Sequence, residues 1–337
     1  MCQPLKDSHI FRLTDDTGMF QHAKYGVPDP TKGYTTDDNA RALIMAVMLY
    51  ERFGQEKYLA LVYRYLSFVL NAQNREGRFK NFMGYNRDFM EESGSEDCFG
   101  RCLWALGYTL ASAKTPRNVK DTCRYLLQKA LPHVASLRWP RAKAYSLIGL
   151  TCLDMQETEE HVRNLAESLA KQYEEHRDDH WNWFEDGLTY SNAVLPWSLL
   201  AAYRVLGEQR LLDIASESLA FLERITFGEG YFKPVGCHGW FLKGQPRAEY
   251  DEQPLEASEM LLAYLEAYRI TSHKRYLDRA RKCLAWYHGD NSKGLCLIDP
   301  ETDGCYDGIT EKGLNLNQGA ESIISYFIAC LALDVYQ

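Results

Sequence analysis

GYTTDDNARALIMAVMLY, residues 33–50, begins with a Gly-Tyr turn and two threonines, sets two carboxylates side by side, and then runs into a segment with almost nothing polar. Threonine and aspartate ahead of an apolar run mark a helix start, because their oxygens accept from first-turn N–H groups and the acid charge favours the positive end of the helix dipole. The helix that follows, about 38–50, is apolar nearly all round and has to be surrounded by protein.

Five more segments share this character: 97–111, 141–153, 192–206, 256–268 and 319–333. Their starts lie 44 to 64 residues apart, a loose internal repeat. Between them fall helices with one polar stripe, at 58–71, 118–135, 160–177, 210–225 and 274–288. In 160–177, Val162, Leu165, Ala166, Leu169 and Tyr173 share one face, and Glu159, Arg163, Glu167 and Lys171 fall away from it. Six buried helices inside a ring of amphipathic ones describe an all-α, (α/α)6 barrel, since concentric packing satisfies both kinds at once. The expectation is one domain over 1–337, with 1–32 as a lead-in and 33–337 as helical hairpins. The sixth outer helix has only HIFRLTDD (9–16) as a candidate. Gly-plus-aromatic turns at REGRF (75–79), EGYF (229–232) and SKGLCLID (292–299) are expected to form short rim hairpins.

The chain has 337 residues, 46% of them hydrophobic, and a net charge of −8 with no basic block, which argues against a nucleic-acid groove or an anionic membrane surface. Ten cysteines stand as singletons without Cys-x-x-Cys pairs or clustered histidines, so no metal site or cofactor is expected and a reducing, cytoplasmic setting is. No run reaches about 18 apolar residues, and the N-terminus lacks the apolar core of a signal peptide. Aromatic residues make up 13% of the chain, which suits surfaces that stack on sugar rings as well as ordinary cores.

In an (α/α)6 barrel the inner helices run the same way, so the loops feeding them are expected to share one cavity. The six entries here carry Asp37 and Asp38; Glu96 and Asp97; Arg141 and Lys143; Glu185, Asp186 and Asn192; Asp251, Glu252 and Glu256; and Asn317, Gln318 and Glu321. Five carry acids or amides and the third carries bases. Capping explains any one acid. Several acids entering apolar helices beside Tyr34, Trp183 and Trp240 call for water, ligand or cations, because unpaired buried carboxylates cost several kcal/mol. Carboxylates grip vicinal hydroxyls and aromatic faces stack on sugar C–H groups, so the expected ligand is a carbohydrate, an oligosaccharide or a sugar.

The helical-hairpin repeat with acids at inner-helix entries resembles the six-hairpin glycosidase superfamily. QHAKYGVPDPTKGYTTDDNARAL (21–43), WFEDGLTYSNAVLP (183–196) and DEQPLEASEML (251–261) resemble, more narrowly, bacterial (α/α)6 proteins found alone or fused behind glycosyltransferase modules. That likeness implies a sugar context and a functional link to a glycosyltransferase.

Inverting hydrolysis needs a protonated acid and a carboxylate that activates water, roughly 6.5–9.5 Å apart. Asp38, or its neighbour Asp37, at a helix N-terminus, suits the base. Family 9 glycoside hydrolases are similar in placing a glutamic acid on the last inner helix, here Glu321. Glu185, after Trp183 and Phe184, and Glu256, after Pro254, are the other candidate catalytic carboxylates. Candidate sugar-binding residues are Asp37, Tyr34, Arg41, His22, Glu96, Asp97, Trp183, Asn192, Trp240, Asp251, Gln253 and Gln318. Arg41, three residues after Asp38, can instead form a structural ion pair with it. Two alternatives remain: a sugar epimerase like the N-acetylglucosamine 2-epimerases, whose histidines on late inner helices are missing from 256–268 and 319–333, and a non-catalytic sugar-binding module.

Overall fold

The computed structural model describes residues 5–336. Two compact halves are present, Asp7–Leu165 and Ala166 onward. The first contains α1 (Ser8–Leu13), a two-stranded hairpin of β1 (Ala23–Lys24) and β2 (Val27–Pro28), β3 (Tyr34–Thr35), α2 (Thr36–Phe53), α3 (Glu56–Ala72), β4 (Phe82–Met83), α4 (Glu96–Ala111), α5 (Arg117–Ala130) and α6 (Pro140–Leu150). α7 (Met155–His176) follows, its later residues belonging to the second half. That half continues with β5 (Gly187–Leu188), α8 (Val194–Leu206), α9 (Gln209–Thr226), β6 (Phe241–Leu242), α10 (Pro254–Thr271), α11 (Lys274–Tyr287), β7 (Gly308–Thr310), β8 (Gly313–Asn315) and α12 (Ala320–Asp334).

In the first half α4 packs between α2 and α6, with α3 and α5 behind α2 and α4. In the second, α10 packs between α8 and α12, with α9 and α11 behind α8 and α10. The apolar-all-round segments are therefore the central row of each half and the striped ones back them, as their periodicity requires. α4 and α6 touch backbone to backbone: a Cβ on Gly107 would lie 2.1 Å from the Gly149 carbonyl oxygen, and one on Gly149 2.3 Å from that of Leu103. Larger residues at either position would force the central row apart.

Helix starts follow the capping logic. Thr35 accepts from the Asp38 N–H at 3.1 Å and Ser95 from the Cys98 N–H at 3.2 Å. α2 ends on Gly54, whose φ of 65° takes the left-handed cap conformation.

Two expectations need correction. HIFRLTDD supplies only the six-residue α1, because Asp15 turns the chain by accepting from Thr17 and Gly18 N–H groups. EGYF at 229–232 forms a turn and no described bridge, with Lys233 N–H returning to the end of α9 at Thr226. The other two turns close with single bridges, Gln73 to Phe79, and His288 to Cys296 with Ile298 to Cys305. Among the described residues no helix is long and apolar enough to cross a membrane.

Candidate functional site

The paired aspartates at the head of α2 meet guanidinium groups. Asp38, 4% exposed, accepts from Arg41 at 2.8 Å and from the Thr35 hydroxyl at 2.6 Å. Asp37 lies 3.0 Å from the same Arg41 and 2.6 Å from Arg101 of α4. Arg101 donates in turn to the Tyr145 hydroxyl of α6 at 3.3 Å and lies over that ring at 4.7 Å. A polar line thus runs from the first turn of α2 to the second turns of α4 and α6. Burial pushes the Asp37 carboxyl up, but Arg101 and Arg41 outweigh it and hold it below its ordinary 3.8.

The ion pair set out above as the rival reading of this motif is present, and it extends to a second arginine. Water or ligand is not needed to explain how these two carboxylates enter a buried helix, because buried cations face them. Arg41 and Asp37 belong to that line.

The neighbouring candidates of the first half serve several purposes. Tyr34 is 1% exposed, stacked on Phe20 at 4.7 Å, and donates its hydroxyl to Asp15 at 2.6 Å, so its ring faces are covered. Tyr85, 61% exposed and 5.9 Å from Phe20, is the open aromatic there. Glu96 accepts from the N–H groups of Arg138 and Trp139 at 2.7 and 3.1 Å, tying the α4 entry to that of α6. Asp97 is half-buried beside it and His22 is exposed at the start of the first hairpin.

In the second half a different arrangement forms at the entries of α8 and α10. Ser191, at φ 47°, turns its N–H onto Glu256, and Asn192 donates to the same carboxylate from its N–H at 3.3 Å and its side-chain amide at 3.2 Å. The Ser191 hydroxyl reaches Glu259, one turn further along α10, at 3.4 Å. One serine thereby bridges two carboxylates, and three N–H donors fix the orientation of Glu256. Glu256 also lines a small cavity with Asn192, Thr226, Phe232, Val235 and Met260.

β5 and β6 pair Gly187 with Leu242 and Leu188 with Phe241, which sets Tyr190 beside Trp240 with ring centroids 6.4 Å apart. Tyr190 is 37% exposed and Trp240 half-buried, so an open aromatic pair adjoins the residues that grip Glu256.

Other candidates of this half are braces. Trp183 is wholly buried between Phe184 and Phe221, which leaves no ring face for a sugar and corrects its assignment as a binding residue. Gln318, 1% exposed, donates to Asp299 and accepts from Thr302, both at 2.7 Å. Both ends of its amide are engaged in loop structure. Glu185 is half-buried, and its carbonyl accepts from Trp181 at 2.7 Å. The Asp251 carbonyl accepts from Cys237 N–H at 2.9 Å, and Gln253 stands at the N-cap of α10. Glu321 is half-buried in the first turn of α12, whose cap comes from Asp307, accepting from Gly319 N–H and Ser322 hydroxyl at 2.7 Å each. Among the described residues no group of His, Cys, Asp and Glu is arranged to hold a metal ion.

Glu259, Ser191 and Arg101 are absent from the candidates drawn from sequence. Glu259 was discoverable, since it follows Glu256 by three residues on one helix face. Ser191 works through its backbone conformation and Arg101 through a partner 64 residues away, and neither leaves a local signal.

Glu252, in the loop feeding α10, is wholly buried and accepts from the Trp286 indole at 2.8 Å and from the Ser292 hydroxyl. Burial pushes its carboxyl above the ordinary 4.5, against the pull of those two donors. The native chain therefore holds this proton where the unfolded chain has lost it, and stability falls as pH rises from 4.5 through the folded value. Glu252→Gln can keep both contacts, its carbonyl toward Trp286 and its amide toward Ser292. It is expected to melt a few degrees above the wild type at pH 8, with the gap closing near pH 4.5; a gap independent of pH in calorimetry would contradict this.

No family model and no curated sequence matches the chain. Solved structures do. A sugar epimerase from a ruminal bacterium matches with a TM-score of 0.75 at 13% identity, over 98% of this chain and 96% of that one. A cellobiose 2-epimerase from Bacillus thermoamylovorans gives 0.75 at 12% identity, over 97% and 94%. A GH76 α-1,6-mannanase from Salegentibacter gives 0.66 at 13% identity, over 98% and 97%. These are (α/α)6 proteins, and the likeness shows that the chain has that fold.

Proposed function

We propose that this protein acts on a carbohydrate, as a glycoside hydrolase that works by inverting carboxylate acid/base chemistry. One observation carries the reading. The first turns of α2, α4, α10 and α12 hold Asp37, Asp38, Glu96, Asp97, Glu256 and Glu321, and none of the six apolar helices contains a histidine. Among the side chains these helices carry, that leaves proton transfer to carboxyl groups.

The working pair we favour is Glu256 and Glu321. Glu256 is oriented by three N–H donors, lines a cavity, and is held by Ser191, the residue after Tyr190 of the Tyr190–Trp240 pair, which suits a base that activates water beside a stacked sugar. Glu321 heads the adjacent α12, half-buried, and is assigned the acid. Asp38, bound to Arg41 and Thr35, is assigned to holding the α2 entry together.

The test is a panel of neutral and charged oligosaccharides, with products separated by chromatography and the anomer read by proton NMR. Release of the inverted anomer is the expected result. Conversion of a reducing-end sugar to its epimer without chain cleavage would replace this reading with the second one, a sugar epimerase. That alternative is favoured by the higher TM-scores of the two epimerases and by His238, exposed two residues before Trp240.

A further inference from the structure

The entry to α6 is the exception among the apolar helices, because it reads RWPRAK (138–143) where the others carry acids or amides. Arg141 is buried at 3% exposure. The remaining residues open outward: Trp139 is 66% exposed, Arg138 is exposed, and Lys143 is half-buried one turn beyond Trp139 on the same helix face.

The loop that carries them is fixed. Glu96 accepts from the backbone of Arg138 and Trp139, and Arg78 crosses to the Ser136 hydroxyl at 3.3 Å. Among the described residues neither the Lys143 ammonium nor the Arg138 guanidinium makes a direct ion pair or side-chain hydrogen bond, and Glu96 is the carboxylate whose charge reaches Lys143. Burial draws the Lys143 ammonium below its ordinary value, with Glu96 opposing. Burial thus outweighs the one carboxylate that Lys143 feels, and a cation only partly compensated for lost water is relieved when an anion arrives.

We propose that Arg138, Trp139 and Lys143 form a subsite for a negatively charged group carried on a saccharide, with Trp139 offering its face to the C–H side of the ring. Arg138 on the pinned loop and Lys143 in the first turn of α6 would engage the oxyanion from two positions, and neither would have to give up a direct salt bridge. This rests on the carbohydrate reading above and narrows it to acidic sugars, whether the charge is a carboxylate or a phosphate.

The experiment is equilibrium titration calorimetry at low salt with disaccharides in three matched forms: neutral, 6-carboxylate and 6-phosphate. The wild type is expected to bind at least one charged form about tenfold more tightly than its neutral twin. That preference should shrink as salt rises, because exposed charges are screened. Lys143→Met and Arg138→Gln should each bring the ratio toward one while leaving neutral-sugar affinity unchanged, and Trp139→Ala should weaken both forms. A carboxylate or phosphate winner identifies the anion, and either supports the proposal. Neutral sugars bound as tightly as charged ones, or a preference that survives both charge-removing variants, overturns this subsite alone; no binding of any sugar overturns the carbohydrate reading with it.

Discussion

Glu256→Gln is expected to lower kcat by about 10²–10⁴-fold on whichever oligosaccharide the wild type cleaves, the range typical of removing a positioned general base. Glutamine keeps the shape and one acceptor oxygen, so the Ser191 N–H still has a partner. The second acceptor becomes a donor facing the Asn192 N–H and side-chain amide, now 3.3 and 3.2 Å from the carboxylate. Some loss of stability follows, on the order of 1–3 kcal/mol for a buried donor left unsatisfied. A loss of activity is therefore informative only with circular dichroism showing a folded variant. Asp38→Asn provides the comparison, since it alters an aspartate already bound to Arg41 and should reduce turnover far less than Glu256→Gln. Equal losses in the two variants, or full activity in Glu256→Gln, would remove Glu256 from the chemistry.

Asp37→Ala should destabilise the protein by about 3–5 kcal/mol, the range for breaking a buried ion pair from one side. The substitution takes a carboxylate from between Arg41 and Arg101, which are 3% and 5% exposed. Their guanidinium groups cannot turn to water without disturbing the central helices, whereas an exposed pair such as Arg163 with Glu159 should cost no more than about 1 kcal/mol. Urea denaturation at pH 7 measures the difference, and a shift below about 1 kcal/mol would mean that water reaches Arg101 and that Asp38 alone suffices for Arg41. The pH dependence has a definite sign. The Asp37 carboxyl is held below 3.8, so its contribution is fully present above that pH and is lost as pH falls through the folded value. Wild type and variant should converge only in that acid range.

The two experiments probe different halves of the chain. Together they separate a carboxylate that maintains structure from one assigned to work on substrate, a distinction that residue type alone does not make.

What the sequence by itself determined was the helical architecture. Periodicity, first-turn acids and terminal glycines are local signals, and they placed the six apolar helices within a few residues of their observed bounds, from α2 at Thr36–Phe53 to α12 at Ala320–Asp334. The same signals identified the entries where polar side chains gather. Tertiary structure alone decided what those side chains do. Arg101 neutralises Asp37 across 64 residues, Ser191 holds Glu256 across 65, and Trp183 lies inside the core although its sequence neighbourhood resembles that of an exposed platform. Backbone propensity and amphipathic pattern act over a turn or two of chain, whereas the state of a carboxylate depends on which charge and how much solvent lie within a few ångströms.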